Sequence, residues 1–343
     1  VSAHHQRQPC LLVTGASGLV MSHLVRRWLE SDPQARALAL DLDPPESVVK
    51  AFFEPVAERL AFHRGDVGGA GLWRDLEGAD AITHMVHGAA VTSIERLTRL
   101  PDGGRDMTGA VGALETNIIG TARALAWAGR QKELVRMITV SSGSVYAGDG
   151  PEPLPEDGYV APEGLYPLTK HMGELLTDEA VRSFGLPACS VRLSGVYGPL
   201  DRETGTRAVK SVPFTLLRRA LDGEEVRVAG LAAVGDYIHA GDVADALLAL
   251  LACPAPRHRV YNIALGETWS LGELLRLVEA QVPGMRWRET PAGEADLALD
   301  PALTGGRWGA YDISRLSADT GWHPRPLADA FVDYGAWLRR HPY

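Results

Sequence analysis

The chain has 343 residues, 45% of them hydrophobic and 22% charged, with a formal net charge of −9. That acidic balance argues against a nucleic-acid partner, which needs a clustered basic face, and the length suits one large domain or two lobes. Cys10, Cys189 and Cys253 are odd in number, far apart and without a C-x-x-C pair. This disfavours a disulfide framework or a zinc site and fits a reduced compartment, the cytoplasm. The longest apolar stretch, Ala246 to Cys253, is too short to span a bilayer, so no membrane role is expected. Val1 to Gln8, with its His4-His5 pair, lacks the apolar core of a signal peptide and reads as a flexible lead-in.

From Leu11 onward, short apolar runs alternate with longer amphipathic stretches. The runs are Leu11–Thr14, Ala37–Leu40, Ala61–His63, Ala81–Val86, Arg136–Ser141 and Ala188–Leu193. Between them lie helical patterns such as Leu19–Glu30, Asn117–Arg130 and Tyr166–Phe184. That alternation predicts βαβ units, hence an α/β fold with a doubly wound parallel sheet. "MITVSS" is apolar without alternation, as a strand covered on both faces should be. After Gly198-Pro199 the texture changes. "LDRETGTRAVKS" reads as a polar loop, Val212–Leu221 as a helix, and "DYIHAGDVADALLALL" starts a helix near Gly241 with Asp242 as N-cap. The expected division is 9–193, with 236–266 returning to it, against a smaller lobe from 194–235 and 267–343.

"TGASGLVMSH", Thr14 to His23, follows the first apolar run. In a dinucleotide-binding loop the first glycine permits the tight turn and the second lets backbone approach a pyrophosphate. The third serves helix–strand packing. Gly15 and Gly18 supply the first two; Met21 stands at the third. Backbone around Ser17, Leu19 and Val20 would then meet the phosphates at a helix N-terminus. Asp41, ending the next predicted strand, has the placement of the acidic residue that accepts from the adenosine ribose hydroxyls. Its charge repels a 2′-phosphate, so NAD is expected rather than NADP. The alternative for Met21 is that it blocks the phosphate site altogether.

Three further stretches fall in a telling order: "HGAA" (His87–Ala90), "VSSGSVY" (Val140–Tyr146) and "YPLTK", which puts Tyr166 and Lys170 on one helix face. With "TGASG", "RLSGVYGP", "DYIHAGDVADAL", "YNIALGETWSL" and "TGWHP", they resemble the extended short-chain dehydrogenase/reductases, the NAD-dependent epimerases and dehydratases. The resemblance implies a Rossmann-type doubly wound parallel sheet with a smaller C-terminal substrate-binding lobe. It implies Ser142, Tyr166 and Lys170 as the catalytic set: tyrosine as proton acceptor, lysine as the cation favouring tyrosinate, serine as donor to the substrate oxygen. Tyr166 and Lys170 would also touch the cofactor, as would Asp66 and Val67 near its adenine, and Gly88, Ala89 and Ala90. Thr92, Ser144, Gly195, Arg202 and Arg207 are the substrate-side candidates. Asn117 could either contact ligand or order nearby backbone. A small-molecule substrate and a homodimer are expected, the latter through the helices Gly109–Arg130 and Tyr166–Phe184.

Departures from the family pattern bear on the reaction. Relatives that perform 4,6-dehydration carry an acid pair where this chain has Gly143 and Ser144. Nucleotide-sugar binders usually carry Asn and Arg where it has Gly195 and Gly235. The leading expectation is therefore an NAD-dependent oxidoreductase of a sugar-like, polyol or hydroxy-acid substrate. An epimerase, in which hydride leaves and returns, is the second; a non-catalytic NAD sensor is the third.

Overall fold

The computed structural model describes residues 8–76, 81–100, 103–146, 152–299 and 309–341. Its centre is a seven-stranded parallel sheet. Strands β1 (Cys10–Thr14), β2 (Arg36–Asp41), β3 (Leu60–Arg64), β4 (His84–His87), β5 (Arg136–Ser142) and β6 (Ala188–Leu193) are joined by a last strand, Val260–Ile263. The order is β3–β2–β1–β4–β5–β6–Val260–Ile263. The chain thus winds outward from β1 in one direction, returns, and fills the other side from β4, which opens a crevice at the reversal between β1 and β4. β1 is buried along its whole length and β5 nearly so, in keeping with their unbroken apolar runs.

Helix α1 (Leu19–Ser31) leaves β1 through the glycine loop and packs on the helix Ala240–Ala252. Leu24, Val25, Trp28 and Leu29 carry its buried face into the larger core. Met21 is buried as well, and its partner is a missing side chain. A Cβ on Gly88, at the end of β4, would lie 2.5 Å from Met21 Cγ and Sδ. The unbranched thioether fills the space that glycine leaves across the helix–strand contact.

Elsewhere the elements depart from expectation for local reasons. The predicted helix Gly109–Arg130 is broken into a 3₁₀ turn, a short α-turn Val111–Leu114, a π segment Glu115–Ile119 and a helix Gly120–Ala128. The π segment turns Asn117 inward. The helix after "DYIH" starts at Ala240, and its N-cap is His239 rather than Asp242: the His239 Nδ1 accepts from the Gly241 amide at 3.0 Å. Asp242 lies one turn in, paired with Arg325 at 2.8 Å.

A second hydrophobic core gathers Tyr197, Phe214, Leu217, Val228, Leu274, Phe331 and Tyr334 from the segments after residue 194. It covers a three-stranded sheet, Trp287–Glu289, Val226–Ala229 and Leu297–Ala298. Leu316 and Trp322 pack back on the first core, however, so the C-terminal segment serves both. Among the described residues no helix is long and apolar enough to cross a membrane.

The shared space between Met21 and Gly88 makes a stability prediction. Gly88→Ala should cost about 1–3 kcal/mol by overpacking, and Met21→Ala about 2–5 kcal/mol by leaving a void. In the double variant, most of the Gly88→Ala cost should disappear in urea unfolding. Strictly additive costs would show that the two positions do not share the space.

Candidate active site

At the C-terminal ends of β1, β2, β4 and β5 lies a cavity of about 530 Å³. One end is built by the glycine loop. Gly15 has φ +70°, and a Cβ there would sit 2.8 Å from Ala89 Cα, so both conformation and space demand glycine. Ser17, Gly18, Leu19 and Val20 continue the lining, followed by Asp41, Gly65, Asp66 and Val67. Gly88, Ala89 and Ala90 floor the middle. Asp41 accepts from the Ser17 amide at 2.7 Å and from the Leu42 amide at 2.8 Å, which fixes the carboxylate against the loop while leaving lone pairs toward the cavity. Among the described residues the buried Ser17 hydroxyl has no hydrogen-bond partner. A glycine-bearing loop at a helix N-terminus, an orphaned hydroxyl and a carboxylate at the end of the next strand suit a dinucleotide, and Met21 lines the same cavity while packing on Gly88.

The other end is the junction of β5 with the helix Leu165–Phe184. Ser142 closes β5 in an extended conformation, and its Oγ accepts from the Ser144 amide at 3.2 Å and the Ser144 hydroxyl at 3.0 Å. Ser142 and Tyr166 both line this end of the cavity. Burial raises the Tyr166 phenol above its ordinary range, Ser142 and the positive charge of Arg207 oppose that rise, and Glu95 adds to it. Lys170 Nζ donates to the Val140 carbonyl at 2.8 Å and stands 5.9 Å from the Tyr166 ring centre. Burial draws its ammonium down to about 8, against the pull of Glu174.

This helix begins at a glycine of φ +95°, Gly164, with no side-chain cap of its own. Its Tyr166 amide is capped instead by Glu95 Oε1, at 3.1 Å, from the short helix Ile94–Leu97. Asn117 orders backbone: Oδ1 accepts from the Val91 amide at 2.8 Å, and Nδ2 donates to the Val91 carbonyl and to Thr169 Oγ1, both at 3.0 Å.

Of the substrate-side candidates, Thr92, Arg202 and Arg207 line the cavity. Thr92 donates from both N (2.9 Å) and Oγ1 (3.1 Å) to the Thr206 carbonyl, and Ser93 Oγ accepts from the Ala208 amide at 2.9 Å. These bonds lay residues 200–208 across the cavity as a strap. Arg207 pairs with the buried Asp201 at 2.9 Å. Arg202 reaches the opposite end, to Glu46 at 3.2 Å and to the Ser17 carbonyl at 3.3 Å. Ser144 and Gly195 do not line the cavity: Ser144 turns onto Ser142, while Ser194 and Val196, either side of Gly195, face in. Neither Gly195 nor Gly235 has room for a side chain, since a Cβ would meet the Asp236 carbonyl oxygen at 2.9 Å or the Tyr237 ring at 2.7 Å. A Cβ on Gly143 would run into the Tyr311 phenol.

Residues missed in the sequence are Glu95, Glu174, Gly65 and the strap's Thr204 and Thr206. Only the strap had a signal, its polar run, and its partners are more than a hundred residues away.

Comparison with known proteins agrees with this geometry. The model of the NAD-dependent epimerase/dehydratase family matches residues 11–264. A dTDP-glucose 4,6-dehydratase of Streptomyces griseus is 29% identical over 96% of this chain and 94% of its own length. A putative UDP-glucose 4-epimerase of Methanocaldococcus jannaschii is 25% identical over 96% and 99%. The crystal structure of UDP-glucose 4-epimerase from Thermotoga maritima with UDP-glucose superposes with a TM-score of 0.77 at 22% identity, covering 96% of this chain and 99% of that one. With its family-wide match across both the glycine loop and the Ser142–Lys170 region, the chain belongs to the NAD-dependent epimerase/dehydratase family.

Proposed function

We propose that the protein is an NAD-dependent oxidoreductase that moves hydride reversibly between cofactor and a secondary alcohol or ketone of a sugar-like, polyol or hydroxy-acid substrate. The observation that carries this is the convergence of Ser142, Tyr166 and Lys170 at one end of a cavity whose other end is shaped for a dinucleotide. NAD, when bound along Gly15–Val20 and Asp41, supplies the hydride acceptor and donor. Tyr166 takes the hydroxyl proton as the carbon–hydrogen bond breaks with its electron pair, and the oxygen becomes a carbonyl; the reverse reaction returns the proton. Lys170 holds positive charge beside Tyr166 and favours its anion. Ser142, oriented by Ser144, donates to the substrate oxygen as charge changes there.

Thr92 and Arg207 are assigned to the substrate end, Arg202 to the cofactor end, and residues 194–235 and 267–343 to a substrate-binding lobe. Elimination chemistry is the poorer match, because Tyr311 fills the space beside Gly143 where dehydrating relatives begin their acid pair. Epimerisation is the second reading, favoured by the epimerases among the relatives and by the strap, which suits a cofactor retained through a cycle without net redox. A cytoplasmic setting is proposed from three cysteines that lie buried and far apart in the chain. The homodimer is assigned to a face on which Leu168, Met172, Leu175 and Ile119 are exposed, suited to a twofold contact with a second copy.

Tyr166→Phe should leave NAD affinity near native and cut turnover by at least about a hundredfold; a purified variant keeping most activity would defeat the assignment. Substrate-dependent accumulation of NADH identifies net oxidation, whereas product without NADH identifies epimerisation. NAD should bind at least about tenfold tighter than NADP, roughly 1.4 kcal/mol, and Asp41→Asn should narrow the gap. Equal affinities of the native protein in calorimetry would refute the role given to Asp41. Light scattering should report a dimer at micromolar concentration and a monomer for Leu175→Glu; a native monomer counts against the assembly.

A further inference from the structure

The end of β5 is stitched to the helix Leu165–Phe184 turn by turn. Ser142 and Tyr166 line the same end of the cavity, the Val140 carbonyl accepts from Lys170, and Ser141 Oγ donates to Glu174 Oε1 at 2.5 Å. Thr139 Oγ1 lies 2.9 Å from Thr177 Oγ1. Glu174 in turn receives a two-pronged contact from Arg192 on β6, Nε at 2.9 Å and Nη2 at 2.7 Å. Both side chains are buried, at 5% and 4% exposure. Arg192 is itself braced, its Nη1 donating to the Glu156 carbonyl at 2.9 Å and its guanidinium lying 4.7 Å over the Tyr146 ring.

Resting on the reading of Ser142, Tyr166 and Lys170 as the reacting set, we propose that Glu174, braced by Arg192, is a positioning residue for them. Through Ser141 it holds Ser142 in register with Tyr166, and its carboxylate sets a negative charge one helical turn behind Lys170 that keeps the lysine cationic.

Among the described residues, the surroundings of Lys170 leave that task to Glu174. Its own helix offers Tyr166, a neutral phenol, and Glu174; β5 offers the neutral Val140 carbonyl. From β4 comes His87, kept neutral by burial and by the lysine's own charge, and bonded to Thr14 and Thr121. On β6 stands Arg192, a like charge turned onto Glu174, which also takes a 3.5 Å contact from His171. A buried ion pair is not a requirement of stability, since well-packed apolar replacements of both partners are often neutral. The pair can therefore be removed as a unit without removing the fold.

The test compares Glu174→Gln with the double variant Glu174→Met/Arg192→Met. Lys170 is titrated in the ligand-free protein by NMR of 13C-labelled lysine, and turnover is measured across pH. In the native protein the Lys170 midpoint is expected near 8. It should fall by at least one pH unit in Glu174→Gln and also lie below native in the double variant. Because Tyr166 needs the lysine charged, support for its anion is lost as pH rises through that midpoint, so the alkaline limb of the rate profile moves down with it. Turnover at pH 8 should drop at least tenfold while KM changes less than threefold. Glu174→Gln should also melt lower, and the double variant should regain stability without regaining rate. A folded double variant with a native Lys170 midpoint or a native pH profile overturns the proposal, as does failure of both variants to fold. The titration needs no substrate, so a wrong reaction assignment shows separately, as unchanged turnover in Tyr166→Phe.

Discussion

The contact between the end of β5 and the helix Leu165–Phe184 is the constraint on which the rest of the site depends. A strand advances about 3.3 Å per residue and a helix about 1.5 Å, so alternate strand residues keep step with helix residues about one turn apart. Thr139 and Ser141 do so against Thr177 and Glu174, and Val140 and Ser142 against Lys170 and Tyr166. Other features hold this seam from outside. Asn117, in the π segment, ties the Val91 backbone to Thr169 on the same helix. Glu95 caps the exposed amide at the helix start.

The electrostatics follow the same seam. Burial alone would push a phenol up and an ammonium down until neither carried charge at neutral pH. Around Tyr166 and Lys170 that tendency is opposed by fixed groups: Ser142 and Arg207 on the phenol, Glu174 on the lysine. Each opposing charge has its own counter-charge, Asp201 for Arg207 and Arg192 for Glu174. The site is close to neutral in sum while remaining strongly polarised along the line between its two halves.

The parts legible in the sequence are those whose cause is local. Gly15 announces a left-handed turn, the β1 and β5 runs announce buried strands, and Tyr166 and Lys170 share a helix face by spacing alone. What was not legible depends on partners far along the chain. Nothing near Arg202 indicates that it reaches Glu46, and nothing near Thr92 indicates Thr206. His239 as an N-cap was hidden because an imidazole nitrogen is an uncommon cap and the neighbouring Asp242 a common one. Ser144 is a substrate-side candidate through the resemblance, whereas the 3₁₀ turn after Ser142 folds it back onto Ser142. The two hydrophobic cores likewise divide the C-terminal segment by packing, which no composition shift between residues 309 and 322 records.

Met21 and Gly88 have an evolutionary consequence. Their atoms compete for one volume, from elements joined only by the fold. A lineage cannot exchange the methionine for a smaller residue without opening a void, nor the glycine for a larger one without a collision. Either single step removes a sizeable part of the 5–15 kcal/mol by which a folded chain usually exceeds its unfolded ensemble. The two positions are therefore bound to a common history: a passage between this arrangement and a loop with three glycines requires a stability reserve gained elsewhere beforehand.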